Sequence, residues 1–460
     1  MDLSNILLQV NTSSIKDFIP LEKVKDAKDK ENYEKLGYLP YYTLSEFKKE
    51  YPEIDHKKMF YNKDLFRTAY YFDAAKFILI QLHVGPNGFL LPNKKEQNNN
   101  DVLKDVVSAF EQKYNNKNYG YLLSRSSNSL TMELLNLMIE NLHDPALLDT
   151  FRTFYTKTDY GCKSISKDSI KKIYGYADKA FKEKTLKELE SYENMITIYR
   201  GEANESTPYP EAYSWSLDKN VANFFATRLG KEGRIITARI DKDKILDYID
   251  ESEEEIIALN DDIEIVNIEN LYDTDDLISE FNSVSDYFFK FKKEINNLHF
   301  VHNTKEHGKL HTLRVLFLGL LIMVLEELDL ELNLNDMHKI CTAIVYHDIG
   351  RISDYVDSEH GRYSYHRYKK LSKQEDPELE FLITYHCLSD TSAKKFLASS
   401  KNIKEERKET LWTMYQVIKD ADALDRVRFG IRDLDIKFLR LNSSLKLTKV
   451  AVQAINGLKI

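Results

Sequence analysis

Cysteine, glycine, proline and tryptophan are all scarce in this chain, with 3, 15, 9 and 2 copies among 460 residues. Cys162, Cys341 and Cys387 lie far apart and form no CxxC pair, which argues against a disulfide framework and a cysteine-type structural zinc site. The expected compartment is the reducing cytosol. No apolar run reaches the length a bilayer demands. The longest, Val315 to Leu325, stops at Glu326 and Glu327 and reads as a buried core helix, so no membrane partner is expected. The opening residues MDLSNILLQV carry neither a basic segment nor a small-residue cleavage site, so no ordinary secretory signal is expected. Specialised secretion routes leave no such mark. An excess of basic residues is missing too. The net charge of −9 argues against nucleic acid as the default ligand, because phosphate backbones are bound by surplus Lys and Arg.

What is present describes a globular protein, 42% hydrophobic and 30% charged. Its length is too great for one ordinary core and implies two or three domains. Residues 1 to about 150 read as mostly helical, since YNKDLFRTAYYFDAAKFILIQL and SLTMELLNLMIENL space their apolar residues three and four apart. Between them, GPNGFLLPNKKEQNNND reads as a surface loop. From about Ser191 short β-prone runs appear (MITIYRG, AYSWSL, RIITARI, EEIIAL, IEIVN) around one helical segment, VANFFATRL. The acidic stretch YDTDDLISE resembles a linker, and the remainder is helical again.

Three segments of that last region carry ligand-type side chains. HGKLHTLRV places His307 and His311 one helical turn apart, TAIVYHDIGR ends an apolar helix with His347 and Asp348, and IKDADALDRVR places Asp420, Asp422 and Asp425 near the start of another. A single histidine on an apolar helix is more often a satisfied core residue. A buried His-Asp pair is costly unless compensated, and a metal is a common compensation. The order H…HD…D, with HGxxHxxRV in front and HDxGR in the middle, resembles the HD-domain phosphohydrolases over roughly residues 295 to 435. The resemblance implies His311, His347, Asp348 and Asp422 as metal ligands. His360 and His386 lie in the interval where members with two metals add histidines, so a binuclear centre is the alternative to a single ion. His307, Arg314 and Arg351 would then lie behind the ligands or face phosphate. Imidazole and carboxylate ligands suit a divalent cation (Mn, Fe, Mg, Ni or Zn) acting on a nucleotide or phosphoester.

The second constellation is TIYRG, then YSWSLDKNVANFF, then DESEEEIIAL. Singly these are an edge arginine, a turn and a solvated acidic face. In this order they resemble the arginine–serine–glutamate class of ADP-ribosyltransferases. The resemblance implies that Arg200 and Gly201 bind NAD, that Ser214 and Ser216 orient the ribose and the catalytic Glu, and that Phe225 stacks on nicotinamide. Trp215 stands where the middle Thr of the motif is expected and is counted with the NAD-binding set. Glu255 would stabilise the oxocarbenium-like ribosyl cation, and Glu253 would help deprotonate the acceptor. Period-2 alternation would put Glu253 and Glu255 on one strand face, with Glu254 between them.

The resulting expectation is a multidomain α+β chain. A helical N-terminal region spans 1–110, a small strand-rich ADP-ribosyltransferase-like domain 111–275, and an all-α HD domain 285–460. NAD is its substrate, arginine or another macromolecular nucleophile, protein rather than nucleic acid, its ADP-ribose acceptor, and a divalent metal the cofactor of a second hydrolase. Such a fusion suggests a bacterial or phage toxin, effector or defence protein. Alternatives are an NAD glycohydrolase, or an HD domain that acts as the main nucleotide hydrolase or as a sensor.

Overall fold

A computed structural model of the chain describes residues 14–457 apart from 64–67, 86–87, 91–98, 127–129, 159–161, 205, 229–231, 250–252, 305 and 329–331. The chain divides into two compact units, 1–191 with 210–212, and 192–209 with 213–460. The first unit ends near residue 191, and the strand-rich segment and the helices after it lie together in the second. The chain is a mixture of helices and two antiparallel sheets, as the α+β class requires.

In the first unit, strands β1 (Ile19–Pro20), β2 (Met59–Tyr61), β3 (Thr68–Asp73), β4 (Ile78–Gly85) and β5 (Gly88–Leu90) pair in sequence order. The helix expected over 61–82 is thus a β-hairpin. Its turn is built by Asp73, whose Oδ1 accepts the Ala75 N–H at 3.1 Å, and by Phe77 at φ +53°. Tyr70, Tyr71, Ile78, Leu79 and Ile80 are all buried. A strand buried on both faces loses the alternation that marks it in a sequence, and its dense apolar residues fit a helical spacing by chance. The stretch expected to be a loop contributes β5 and the start of helix Asn99–Asn115, while residues 91–98 lie outside the described residues. SLTMELLNLMIENL does form a helix, Thr131–Asn141.

The second unit opens with strands β6 (Met195–Ala203), β7 (Ser214–Ser216), β8 (Gly233–Asp241), β9 (Asp247–Ile249), β10 (Glu255–Ile257) and β11 (Ile263–Asn270), in the spatial order β11-β8-β6-β7-β10-β9. Strand β6 pairs with β8 along its length but meets β7 in register at Tyr199 and Ser216 alone. The sheet splays there, beside Arg200. Helix α1 (Lys219–Thr227) covers β6, and Gly201 lets it approach: a Cβ at that position would stand 1.7 Å from the Ala222 carbonyl oxygen. Gly201 therefore serves the packing of α1 on β6, whatever else approaches it.

The remaining helices include α2 (Ile278–Asn297), α3 (Lys309–Leu325), α4 (Leu334–Tyr346), α5 (His360–Ser372), α6 (Pro377–Tyr385) and α7 (Lys408–Leu424). Helix α3 is apolar all round, with Val315, Leu316, Leu318, Leu320, Leu321 and Ile322 fully buried, and it forms the centre of the helical core. Among the described residues no helix is long and apolar enough to cross a membrane. Sheet and helices are tied by Asn223, whose Oδ1 accepts from Thr448 Oγ1 at 2.8 Å, and by Asn220, whose Oδ1 accepts the Ile436 N–H at 2.7 Å.

Candidate metal centre and carboxylate cleft

The helices bring His311 from the start of α3, His347 and Asp348 from the end of α4, His360 from the start of α5, His386 from the end of α6 and Asp422 from α7 to one place. Two expectations of placement change. Asp420, Asp422 and Asp425 sit at the end of their helix, not its start. His307 lies before α3, separated from it by Gly308 at φ +153°. Close crossing of α5 and α6 depends on Gly361, where a Cβ would meet the Thr384 carbonyl oxygen at 2.5 Å. That crossing sets His360 against His386.

Asp348 is the hub. Its Oδ2 lies 3.1 Å from His307 Nδ1, 3.6 Å from His311 Nε2 and 3.8 Å from His347 Nε2. Its Oδ1 lies 3.2 Å from His360 Nε2 and 3.7 Å from His386 Nε2, and finds no hydrogen-bond partner although buried. Asp422 closes the first group, with Oδ1 3.4 Å from His311 Nε2. Its side chain keeps 32% exposure where the ligands around it have almost none, so solvent reaches the centre on its side.

Tautomers decide what these contacts are. The Nδ1 of His347 faces the Ile344 carbonyl at 2.6 Å, and that of His386 faces the Ile383 carbonyl at 2.7 Å. The Nδ1 of His360 is likewise in contact with the Asp357 carbonyl. His311 Nδ1 faces Asp425 Oδ2 at 2.7 Å. Every one of those partners only accepts, so each Nδ1 carries the proton and each Nε2 presents a lone pair. Yet His311 Nε2 and His347 Nε2 are 3.0 Å apart, and so are His360 Nε2 and His386 Nε2. Two lone pairs at that distance repel unless a cation lies between or beside them. Burial, joined for His311 by the charge of Arg428, pushes both His311 and His386 down to about 4 and so keeps these two rings neutral. Divalent cations would be held here by His311, His347 and Asp422 on one side of Asp348 and by His360 and His386 on the other.

Sequence reasoning gave Asp425 no role, yet it orients His311 as carboxylates orient metal-ligating imidazoles. Arg314 grips it in two contacts, at 2.5 and 2.9 Å. Arg314 therefore supports a ligand rather than facing phosphate. Arg351 donates to the Ser353 and Tyr355 carbonyls at 2.9 and 3.0 Å, and its Nη1 faces the centre, 3.4 Å from both His360 ring nitrogens and 3.8 Å from Asp348 Oδ1. Asp420 holds the backbone N–H groups of Arg440 and Leu441 and is structural. Arg428 emerges instead: buried, with an Nε that has no partner, it lies close enough for its charge to act on Asp422 and His311. Asp425→Asn is expected to weaken cation binding by about 10–100-fold. A competition titration against a chelating dye would measure this, and unchanged affinity would remove Asp425 from the centre.

The carboxylate cleft is built at β7 and β10, where Glu255 pairs with Ser216 and Ile257 with Ser214. Ser214 Oγ donates to Glu255 Oε1 at 2.5 Å. Ser216 Oγ donates to the Glu253 carbonyl at 2.7 Å and so holds the loop before β10. Burial pushes Glu255 up to about 7, with the charges of Glu253 and Asp247 adding to the shift and the Ser214 hydrogen bond opposing it. Glu253 and Glu255 do not share a strand face by alternation. The strand begins at Glu255, Glu253 lies in a turn, and Glu254 at φ +45° breaks the period. Arg200 spans the splay, donating to the Ser214 and Thr207 carbonyls, each at 2.7 Å, while its buried Nε lies 3.6 Å from Glu202 Oε1.

Two expected NAD contacts are placed otherwise. Trp215 is 2% exposed and, one residue from both serines, projects to the opposite side of β7 into the core. Its buried indole N–H makes no hydrogen bond among the described residues. The Phe225 ring is partly exposed, but Arg228 covers one of its faces, the guanidinium carbon 4.3 Å from the ring centre. No protein-family model, curated protein or solved structure matches this chain.

Proposed function

We propose that the helices of the second unit form a two-cation phosphohydrolase for a nucleotide or other phosphoester. The observation that supports this best is the division of Asp348, with one carboxylate oxygen toward His307, His311 and His347 and the other toward His360 and His386. Divalent cations held there would polarise a phosphoryl oxygen and lower the pKa of water. The chain's own residues bind and orient: four imidazoles (His311, His347, His360 and His386) and two carboxylates (Asp348 and Asp422) would hold the cations, and Arg428 offers a guanidinium to the substrate's phosphate. The test is titration of the metal-freed chain with Mn(II) and assay on nucleoside phosphates. Two equivalents with hydrolysis are expected. One equivalent, or none, would sink the binuclear reading.

A second reading applies to the cleft, because a buried, serine-held Glu255 beside Arg200 suits transfer of ADP-ribose from NAD. Ionised Glu255 would stabilise the ribosyl cation as nicotinamide leaves, and Glu253 would take the acceptor's proton. Arg200 would have to release its carbonyl partners, or turn its Nε from Glu202, to meet a phosphate. Only the ionised carboxylate can act, so nicotinamide release should rise with pH through about 7. Folding stability has the opposite sign. The raised pKa contributes stability fully present below the unfolded value of 4.5 and lost as pH rises through about 7. A profile of nicotinamide release that is flat across pH ~5.5 to ~8.5 would remove Glu255 from this role.

A further inference from the structure

Cys387 follows His386 directly, just past the end of α6, and its sulfur and one ring nitrogen each of His360 and His386 all lie within 4.8 Å of one another. A half-buried cysteine is most often inert packing. Three observations set this one apart. The first is a shortage of negative charge. The Asp422 side of the centre has that carboxylate and one oxygen of Asp348, whereas the side of His360 and His386 has two imidazoles and Asp348 Oδ1 alone. Arg351 Nη1, 3.8 Å from that same oxygen, deepens the deficit for any cation held there. The second is Asp348 Oδ1 itself, on a side chain 3% exposed, which lies among these imidazoles with no hydrogen bond among the described residues. The third is the fixing of the backbone. Lys419 Nζ donates to the His386 carbonyl at 2.7 Å and to the Leu388 carbonyl at 3.0 Å, so it clamps the chain on both sides of Cys387. The thiol proton meets the Ser358 and Thr384 carbonyls at 3.5 and 3.6 Å, weak contacts that are easily given up.

We infer that the Cys387 sulfur is a ligand of the cation at His360 and His386, completing a set of two imidazoles, one carboxylate oxygen and one thiolate. This rests on the two-cation reading of the centre. On binding, a bond forms between sulfur and the cation, the S–H bond breaks, and the proton leaves to water without any redox change. Burial alone pushes the thiol up, while the Gly361 N–H and the Lys419 charge act in the thiolate's favour, and a cation beside the sulfur removes the proton outright. The thiolate supplies the charge that this side lacks. It also sorts metals. Thiolate with imidazole suits zinc, cobalt or iron, whereas magnesium and manganese prefer oxygen, and four protein donors match the tetrahedral count of zinc. The two halves of the centre therefore differ in selectivity: zinc fills the Cys387 side first, and Mn(II) fills it at higher concentration.

The experiment is titration of the metal-freed full chain with Co(II), followed by absorption spectroscopy. Wild type should develop a thiolate-to-cobalt charge-transfer band in the near ultraviolet as one of its two equivalents binds. Cys387→Ser should lose that band and keep the other equivalent. Its zinc affinity at the altered position should fall by more than the about 10–100-fold that changes behind a ligand cost. Cys162→Ser and Cys341→Ser should keep the band. Two equivalents of cobalt bound by wild type without the band overturn the inference and leave the two-cation reading standing. A band that survives Cys387→Ser overturns it as well. Fewer than two equivalents in wild type removes the two-cation reading, and this inference with it. The wild-type spectrum decides the question even if the serine variant does not fold.

Discussion

Asp348→Asn is expected to remove both cations and to lower phosphoester hydrolysis by about a thousandfold or more, since cations contribute several kcal/mol of charge stabilisation. The reason is the division of labour within one side chain. Each oxygen of Asp348 serves a different group of imidazoles, so a neutral amide weakens both groups at once. His386→Ala is the companion variant. His386 lies 3.7 Å from Asp348 Oδ1, on the side of His360, so the variant should lose one cation and keep the other. Metal analysis by mass spectrometry, with circular dichroism to establish folding, reads both results. If Asp348→Asn still held two equivalents, the bridging arrangement would be wrong. If His386→Ala lost both, the two positions would not be separable.

Glu255→Gln should abolish nicotinamide release, a loss of roughly 10²–10³-fold or more, while cation content stays at the wild-type level. The amide keeps the shape and can still meet Ser214, so the charge alone is tested. Stability supplies an independent readout with a definite sign. Burial holds the Glu255 pKa at about 7, so above that pH the wild type keeps a charge where folding disfavours one. The glutamine variant carries no such charge and should melt at the same or a higher temperature at pH about 8, although it is inactive. A lower melting temperature with activity retained would make Glu255 a structural residue.

The clustering of the histidines and aspartates was largely legible in the sequence because residues of these types stand at motif spacings. His311, His347, Asp348, His360, His386 and Asp422 do converge. What could not be read was which oxygen of Asp348 faces which imidazole, or that Asp425 lies behind His311 from 114 residues away. Those facts depend on how α3 and α7 cross, and tertiary packing carries no local signal. The strand-rich segment was legible for a similar reason: β6, β8 and β11 are long, with turn residues at their ends. Strand β9, three residues within KILDYID, is too short to show a period. The N-terminal hairpin failed because burial on both faces erases alternation, and the Glu253–Glu255 alternation failed because one left-handed residue resets it.

The segment from Asp425 to Asp433 has a thermodynamic consequence. It is nine residues long, is pinned at one end by His311 and Arg314, and reaches Glu253 through Arg432 near the other. Any ligand whose binding displaces one end must do work against the other. If NAD changes the affinity for cations by some factor, cations must change the affinity for NAD by the same factor. The two sites would then share one equilibrium, and a titration of either ligand would report on both.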